Sequence, residues 1–402
     1  VSVSGVRALL DPAVLPDPFP LYREWREDEP VRWDTDIDAW VVTGYRESRI
    51  LLRDNDRFGS DWRRIGETTP PSLLSIQTLD PPAHTEIRHL MLEGLKAVDA
   101  ARKLESALPG QVDGLLAAVE HQETVDFVKA FAEPLTLWAV TGLLGVPQPD
   151  KDWFVPLSNT IVDGMDAALR PECYEPGVAA RAELSALVSE WMKAPPPGGF
   201  ADYVIRKAES EKIARDVLWN TVRVVLQAGF QTASRFLATG LLAILRIPPG
   251  LRQPIETEVA VNELVRFAGP VHAESRGCVE DTTLGGKRIR NGDEVTALLG
   301  AANRDPAAFE NPDALRWDRT PNQHLAFGRG PHACLGAPFA VQIARAAFAA
   351  ITRRYPDAEL AAEPVYRPNV TERGLYGLEV SLRGNSDRAK GGDHHAAQPL
   401  NS

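Results

Sequence analysis

Residues His324–Ala340 read HLAFGRGPHACLGAPFA and set a single cysteine, Cys334, among Gly328, Gly330 and Gly336, with Arg329 and His332 just before it. The continuation, LGAPFAVQIARAAFAAITRRY, repeats apolar residues at three- and four-residue spacing and predicts a long helix. Cys334 therefore belongs to a turn that feeds a helix N-terminus. Unpaired N–H groups and the helix dipole favour a thiolate there, and the two basic residues add to that field. The glycines permit tight turns and close backbone approach.

Working outward, helical periodicity dominates from Glu86 to about Arg246, as in LESALPGQVDGLLAAV and LTLWAVTGLLGV. Strand signals lie at both ends of the chain. PVRWDTD and AWVVTGY alternate around a polar turn and predict a hairpin, and TTLGGKRIRNGDEVTALL and GLEVSLR read as further strands. The longest helical candidate, Val217–Leu245, is interrupted by Arg223, Gln227, Gln231 and Arg235. Charge in the middle of a membrane span costs a few kcal/mol per residue, so a helix crossing a soluble interior fits better. The expected fold is mainly α with a smaller β-rich region, one domain over 1–382 and a polar, disordered tail over 383–402.

The 402 residues are 44% hydrophobic, enough to bury a large core, and a formal net charge of −11 disfavours non-specific binding to nucleic acid or membrane surfaces. The first residues, VSVSGVRALLDPAVLPDPFPLYREWRE, show no basic region followed by an uninterrupted apolar run, so no secretory signal or membrane anchor is expected and the cytoplasm is the expected location. Cys173, Cys278 and Cys334 are too far apart for a CxxC site and too few for a disulfide framework.

Three roles are open to Cys334: a small buried hydrophobe, a nucleophile activated by His332, or a soft anionic ligand to haem iron. Glycines would admit a flat macrocycle and basic residues would meet its propionates. CxxCH is absent, so such a haem would be held non-covalently. Phe327, Gly328, Gly330, His332, Cys334 and Gly336 match FGxGxHxCxG, which resembles the ligand loop of bacterial cytochromes P450. The resemblance implies haem b with Cys334 as axial thiolate, Phe327 packed over the sulfur, and backbone N–H groups after the cysteine tuning its electron donation.

Other segments extend the likeness. In ETEVAVNELVRF, Ile255, Val259, Glu263 and Arg266 fall on one stripe, so the charged pair should point inward, where only a larger hydrogen-bonded network sustains it. This resembles the family's ExxR pair, for which Arg319 is the candidate second arginine. In DPPAHTEIRHLM, His84 and Arg88 share a helix face; similarity to the family's DPPxHTxxR segment makes them propionate donors, together with Arg276 and His332. AANRDP, Ala301–Pro306, is a further match.

In the long helix, AGFQT spans Ala228 to Thr232. Ala228 and Thr232 share a face, and Gly229 removes a side chain that would block approach to a flat ligand. A threonine here can simply bond back to the carbonyl four residues earlier; the resemblance makes the segment an oxygen-binding groove. Most relatives carry an acid where this chain has Gln231, which cannot ionise. The implied activity is a haem-thiolate monooxygenase, fed by an external ferredoxin and ferredoxin reductase, that oxidises a small aromatic or polyketide-derived substrate, free or carried by an acyl or peptidyl carrier protein. Oxidative coupling, peroxide-driven oxidation and a non-catalytic haem-thiolate sensor are the alternatives. The expected pocket is lined by 63–78, by 155–194, and by Val225, Phe230, Val271, His272, Leu375 and Tyr376, with Arg63 and Arg64 offered to a substrate carboxylate or an acidic carrier surface.

Overall fold

A computed structural model describes residues 5–382, so the tail expectation for 383–402 lies outside the described residues. The predicted hairpin forms: Val31–Asp34 pairs antiparallel with Ala39–Val42, Val31 opposite Val42. Ala39–Val42 then runs parallel to Glu294–Leu298, which pairs antiparallel with Ala273–Cys278, and Phe58–Gly59 closes the far edge. Both ends of the chain thus build one sheet, as expected. Thr282–Leu284 and Lys287–Ile289 form a separate hairpin whose turn, Gly285 and Gly286, has φ of 55° and 81°, the left-handed conformation a two-residue hairpin needs.

The helical body is organised by Arg215–Leu245, a 31-residue helix about 46 Å long. Its C-terminal half shares a core with Glu258–Ala268 and Ala337–Arg354 through Leu241, Leu264, Ala344 and Phe348. Gly240 sits at the crossing: a Cβ there would lie 2.7 Å from the Phe348 ring. The N-terminal half packs against Lys151–Asp163 and Tyr174–Lys193 through Leu226, Phe230, Phe154 and Leu184. No helix among the described residues is long and apolar enough to cross a membrane.

One strand was hidden in the helical stretch. Thr124–Asp126 pairs with Glu379–Ser381, which also pairs with Glu359–Leu360. Three residues carry too little periodicity to register, and the pairing partner lies more than 250 positions away. Glu258–Ala268 also starts later than its apolar stripe suggests. Val259 is 42% exposed, while Glu263 is fully buried.

Candidate active site around Cys334

Gly328 and Gly330 carry φ of 65° and 78°, and a Cβ on Gly330 would lie 2.5 Å from the Leu52 carbonyl oxygen. Both glycines are therefore required by the backbone. Gly336 is different: it caps the Ala337–Arg354 helix with φ of −86°, and a Cβ there would stand 3.9 Å from the Cys334 sulfur. The loop is closed by the Cys334 N–H donating to the Phe327 carbonyl at 2.8 Å. Phe327 packs on the main hydrophobic core, its ring 5.6 Å from that of His324.

The Gly336 and Ala337 N–H groups donate to the Cys334 sulfur. Burial nonetheless outweighs these donors and the nearby Arg88, and pushes the thiol up from its ordinary value. The helix start alone thus does not yield a free thiolate, contrary to the expectation from sequence. His332 does not act on it either, since its Nε2 lies 3.2 Å from Asp80 Oδ1. A nucleophile lacks both of its activating features here, whereas a bound metal ion would deprotonate the thiol outright. The cysteine side chain is accessible although protein surrounds it, so it lies on a cavity wall rather than in packed core.

His84, on Ala83–Ala97, is 1% exposed and neither of its ring nitrogens has a hydrogen-bond partner. Burial, reinforced by the positive charges of His332, Arg88 and Arg276, pushes its pKa down to about 4. The His84 and His332 rings lie 4.1 Å apart. Arg276 is held by Glu274 at 2.6 Å and by the Ser275 carbonyl at 2.8 Å. Asp80 and Glu274 are site carboxylates the sequence reading passed over, although Asp80 opens the quoted DPPAHTEIR. Burial alone would raise Asp80, but hydrogen bonds from His332, Arg64 and the Ser60 and Asp61 N–H groups hold its carboxyl well below the usual range.

Glu263 accepts from Arg266 Nη2 and Nε, both at 2.8 Å, and from Arg319 Nε and the Arg316 N–H, both at 2.9 Å. The remaining guanidinium donors reach carbonyls, including Asn303 and Pro312 for Arg266 and Glu310 for Arg319. Arg319 thus joins Arg266 on the Glu263 carboxylate.

On the long helix, Thr232 Oγ1 donates to the Ala228 carbonyl at 2.7 Å, and Ala228 is exposed. Gly229 faces elsewhere: a Cβ there would meet Val140 at 2.8 Å, so this glycine serves helix packing rather than access to a flat ligand. Gln231 is 2% exposed and turned away, donating to Asn159 Oδ1 at 3.3 Å and accepting from Arg235 Nε at 3.1 Å. Arg235 in turn stands 3.7 Å from the Glu372 carboxylate, whose Oε1 has no hydrogen-bond partner and whose pKa burial raises.

The family pattern described as cytochrome P450 matches residues 256–361. The polyketide biosynthesis cytochrome P450 PksS of Bacillus subtilis is 30% identical over 391 residues, spanning 91% of this chain and 96% of the relative. The chain belongs to the cytochrome P450 family. Among solved structures, CYP109E1 from Bacillus megaterium in complex with testosterone superposes with a TM-score of 0.83 at 28% identity, covering 91% of this chain and 98% of that one. P450BioI in complex with an acyl carrier protein ligated to hexadec-9Z-enoic acid superposes at 0.78 with 25% identity, covering 92% and 99%. The protein is a P450 monooxygenase with the P450 fold, and the family implies haem with a cysteine thiolate ligand. The residues present fit that group: a sulfur with two N–H donors, and beside it an imidazole with both nitrogens unpartnered.

Several expected pocket residues of this P450 lie elsewhere. Phe230 is 1% exposed, edge-on to Phe154, and with Leu375, Gln231 and Arg235 lines a void of about 10 Å³ behind the long helix. His272 is buried against Tyr22 Oη at 3.1 Å, and Val271 packs on the sheet core. Tyr376 is 49% exposed beneath Arg367. Val225 is partly buried against the core shared with Phe230. Arg63 pairs with Asp61 at 2.6 Å and Arg64 with Asp80 at 2.8 Å, so neither guanidinium is free for a substrate. The 71–76 segment is tied to the long helix by Asn220, donating to Pro71 and Leu74 carbonyls, and by Thr221, accepting from the Ile76 N–H.

Proposed function

We propose that this P450 oxidises a small organic molecule of secondary metabolism, aromatic or polyketide-derived, with haem b held non-covalently by Cys334. The arrangement of Cys334, with its two N–H donors, beside the unpartnered His84 carries the haem assignment. The polyketide context of PksS and the carrier-bound acyl group in the P450BioI complex favour the substrate class. Haem bound through sulfur supplies dioxygen activation, with two electrons and two protons, putting one oxygen atom into substrate and releasing the other as water.

The chain's residues have distinct roles. Gly336 and Ala337 N–H groups spread the sulfur's negative charge, which tempers its electron donation. His84, Arg88, Arg276 and His332 anchor the propionates by charge-assisted hydrogen bonds. Thr232 keeps its proton on the Ala228 carbonyl and accepts a water at its remaining lone pairs; rotation of the hydroxyl frees that proton for delivery. Gln231 holds Arg235 and Asn159 in place but cannot release a proton itself. That non-ionisable residue favours a second reading, peroxide-driven oxidation, because hydrogen peroxide brings the two electrons and two protons that dioxygen would otherwise draw through the protein.

Electrons come from a ferredoxin and ferredoxin reductase. The expected result is a strongly red-displaced absorption band of the reduced, haem-loaded protein under carbon monoxide; a folded, haem-loaded sample lacking it refutes the thiolate assignment. Nicotinamide consumption through a surrogate ferredoxin system should rise with substrate, which separates an enzyme from a sensor. Omitting the reductase and adding hydrogen peroxide separates the two enzymatic readings.

A further inference from the structure

Of the four residues expected to meet haem propionates, two are already engaged by carboxylates. His332 Nε2 stands 3.2 Å from Asp80 Oδ1, and Arg276 Nη2 donates to Glu274 Oε1 at 2.6 Å. The two carboxylates differ. Asp80 is buried and spreads its charge over Arg64 and the Ser60 and Asp61 N–H groups as well as His332. Glu274 has Arg276 alone. Among the described residues its Oε2 accepts no hydrogen bond, and a Cβ on Gly328, in the Cys334 loop, would lie 3.7 Å from that oxygen.

The strand explains the placement. Glu274 and Arg276 lie two apart on Ala273–Cys278, so both side chains leave the same face of the sheet. Opposite them on Glu294–Leu298 stand Ala297 and Val295, fully buried and apolar, so that strand offers neither a second cation to Glu274 nor a second acid to Arg276. One carboxylate oxygen therefore rests on the guanidinium and the other against the loop that carries the sulfur.

We propose that Glu274 is a positioning residue that acts through Arg276: its carboxylate offsets the guanidinium's charge at the haem edge and holds the ferric state against reduction. A fixed negative charge beside a group that already carries two propionates opposes the arrival of an electron from the ferredoxin-type donor. Arg276 keeps its propionate role through the N–H groups that Glu274 and the Ser275 carbonyl leave open. The inference rests on the haem-thiolate reading and adds a control on electron entry, set by a residue that touches neither the sulfur nor the oxygen side.

The test is a reductive titration of the haem-loaded protein with dithionite, beside safranin T as the reference dye. At a fixed dye ratio, Glu274→Gln should move the ferrous-to-ferric ratio about threefold or more towards ferrous; tenfold would correspond to about 59 mV. Arg276→Gln should move it the other way, and the double variant, which removes both charges, should return close to wild type. Glu274→Asp keeps the carboxylate and should keep most of the wild-type ratio. An unmoved ratio in Glu274→Gln overturns the inference. So does an equal shift in Glu274→Asp and Glu274→Gln, which would mark lost packing rather than lost charge, and so does a double variant that moves as far as Arg276→Gln alone. Should Arg276→Gln fail to retain haem, the two Glu274 variants decide the question by themselves. Loss of the red-displaced band under carbon monoxide in the wild-type protein would sink the haem-thiolate reading and this inference with it, whereas that band with an unmoved ratio sinks the charge assignment alone.

Discussion

Two regions of this P450 handle buried charge in opposite ways. Around Glu263, two guanidiniums, a backbone N–H and several carbonyls satisfy one another in a closed network. Beside the Cys334 loop, His84 keeps both ring nitrogens unpartnered, and on the long helix Arg223 keeps its Nε. A closed network holds the fold in register and has nothing left to offer a ligand. The open groups cost stability in the free protein, and His84 is positioned to regain it on binding.

The sharpest way to break that contrast is Glu263→Gln, which strands Arg266 and Arg319 without a carboxylate. A loss of about 3–5 kcal/mol is expected from denaturant titration; a loss under 1 kcal/mol would mean the network is not what fixes this region. Next in size is a pH effect at the edge of the same network. His324 Nε2 meets Asn262 at 3.2 Å, and burial, with Arg329 and Arg266, pushes its pKa from 6.5 down to about 4. It therefore stays neutral in the folded protein while the unfolded chain takes up a proton below pH 6.5. Stability is full above that pH and drains as pH falls towards 4. His324→Gln should remove about 1–3 kcal/mol of that acid sensitivity, read as the difference in unfolding free energy between pH 7 and pH 4.

His84 should respond through its ligand rather than through stability. His84→Leu is expected to weaken haem retention by about tenfold, measured as transfer to an apo-globin acceptor, with little change in the apoprotein's denaturation midpoint. A large stability loss without haem would instead place His84 in the closed class. Arg223→Leu should stabilise the protein, by about 1 kcal/mol or 1–2 °C in Tm, because it removes an unmatched buried charge. A fall in Tm would show that the guanidinium is matched after all. The smallest effect is expected from Gln231→Glu: the new carboxylate would pair with Arg235, and the fraction of electrons recovered in product should rise by about twofold, with an unchanged ratio marking position 231 as purely architectural.

Local sequence carried a large share of this molecule. The Cys334 loop declares itself because positive-φ glycines, a helix start and a lone cysteine coincide within a dozen residues, and Glu263 with Arg266 is legible from spacing along one helix. The i, i+4 spacing puts His84 and Arg88 on one helix face, and their propionate role is what the resemblance to DPPxHTxxR implies. Such features depend on backbone geometry that neighbours in sequence impose on one another.

What tertiary structure alone decided is which side chains were already spoken for. Arg64 looked available until Asp80 came within 2.8 Å, and Phe230, His272, Leu375 and Tyr376 took places set by core packing or the surface. The sequence of this protein determines where its helices begin and that the Cys334 sulfur stands at a helix start, because those follow from short-range dihedral and hydrogen-bond preferences. Partner choice among charged side chains follows from desolvation and distance in the assembled fold, and those quantities exist only once distant segments have met.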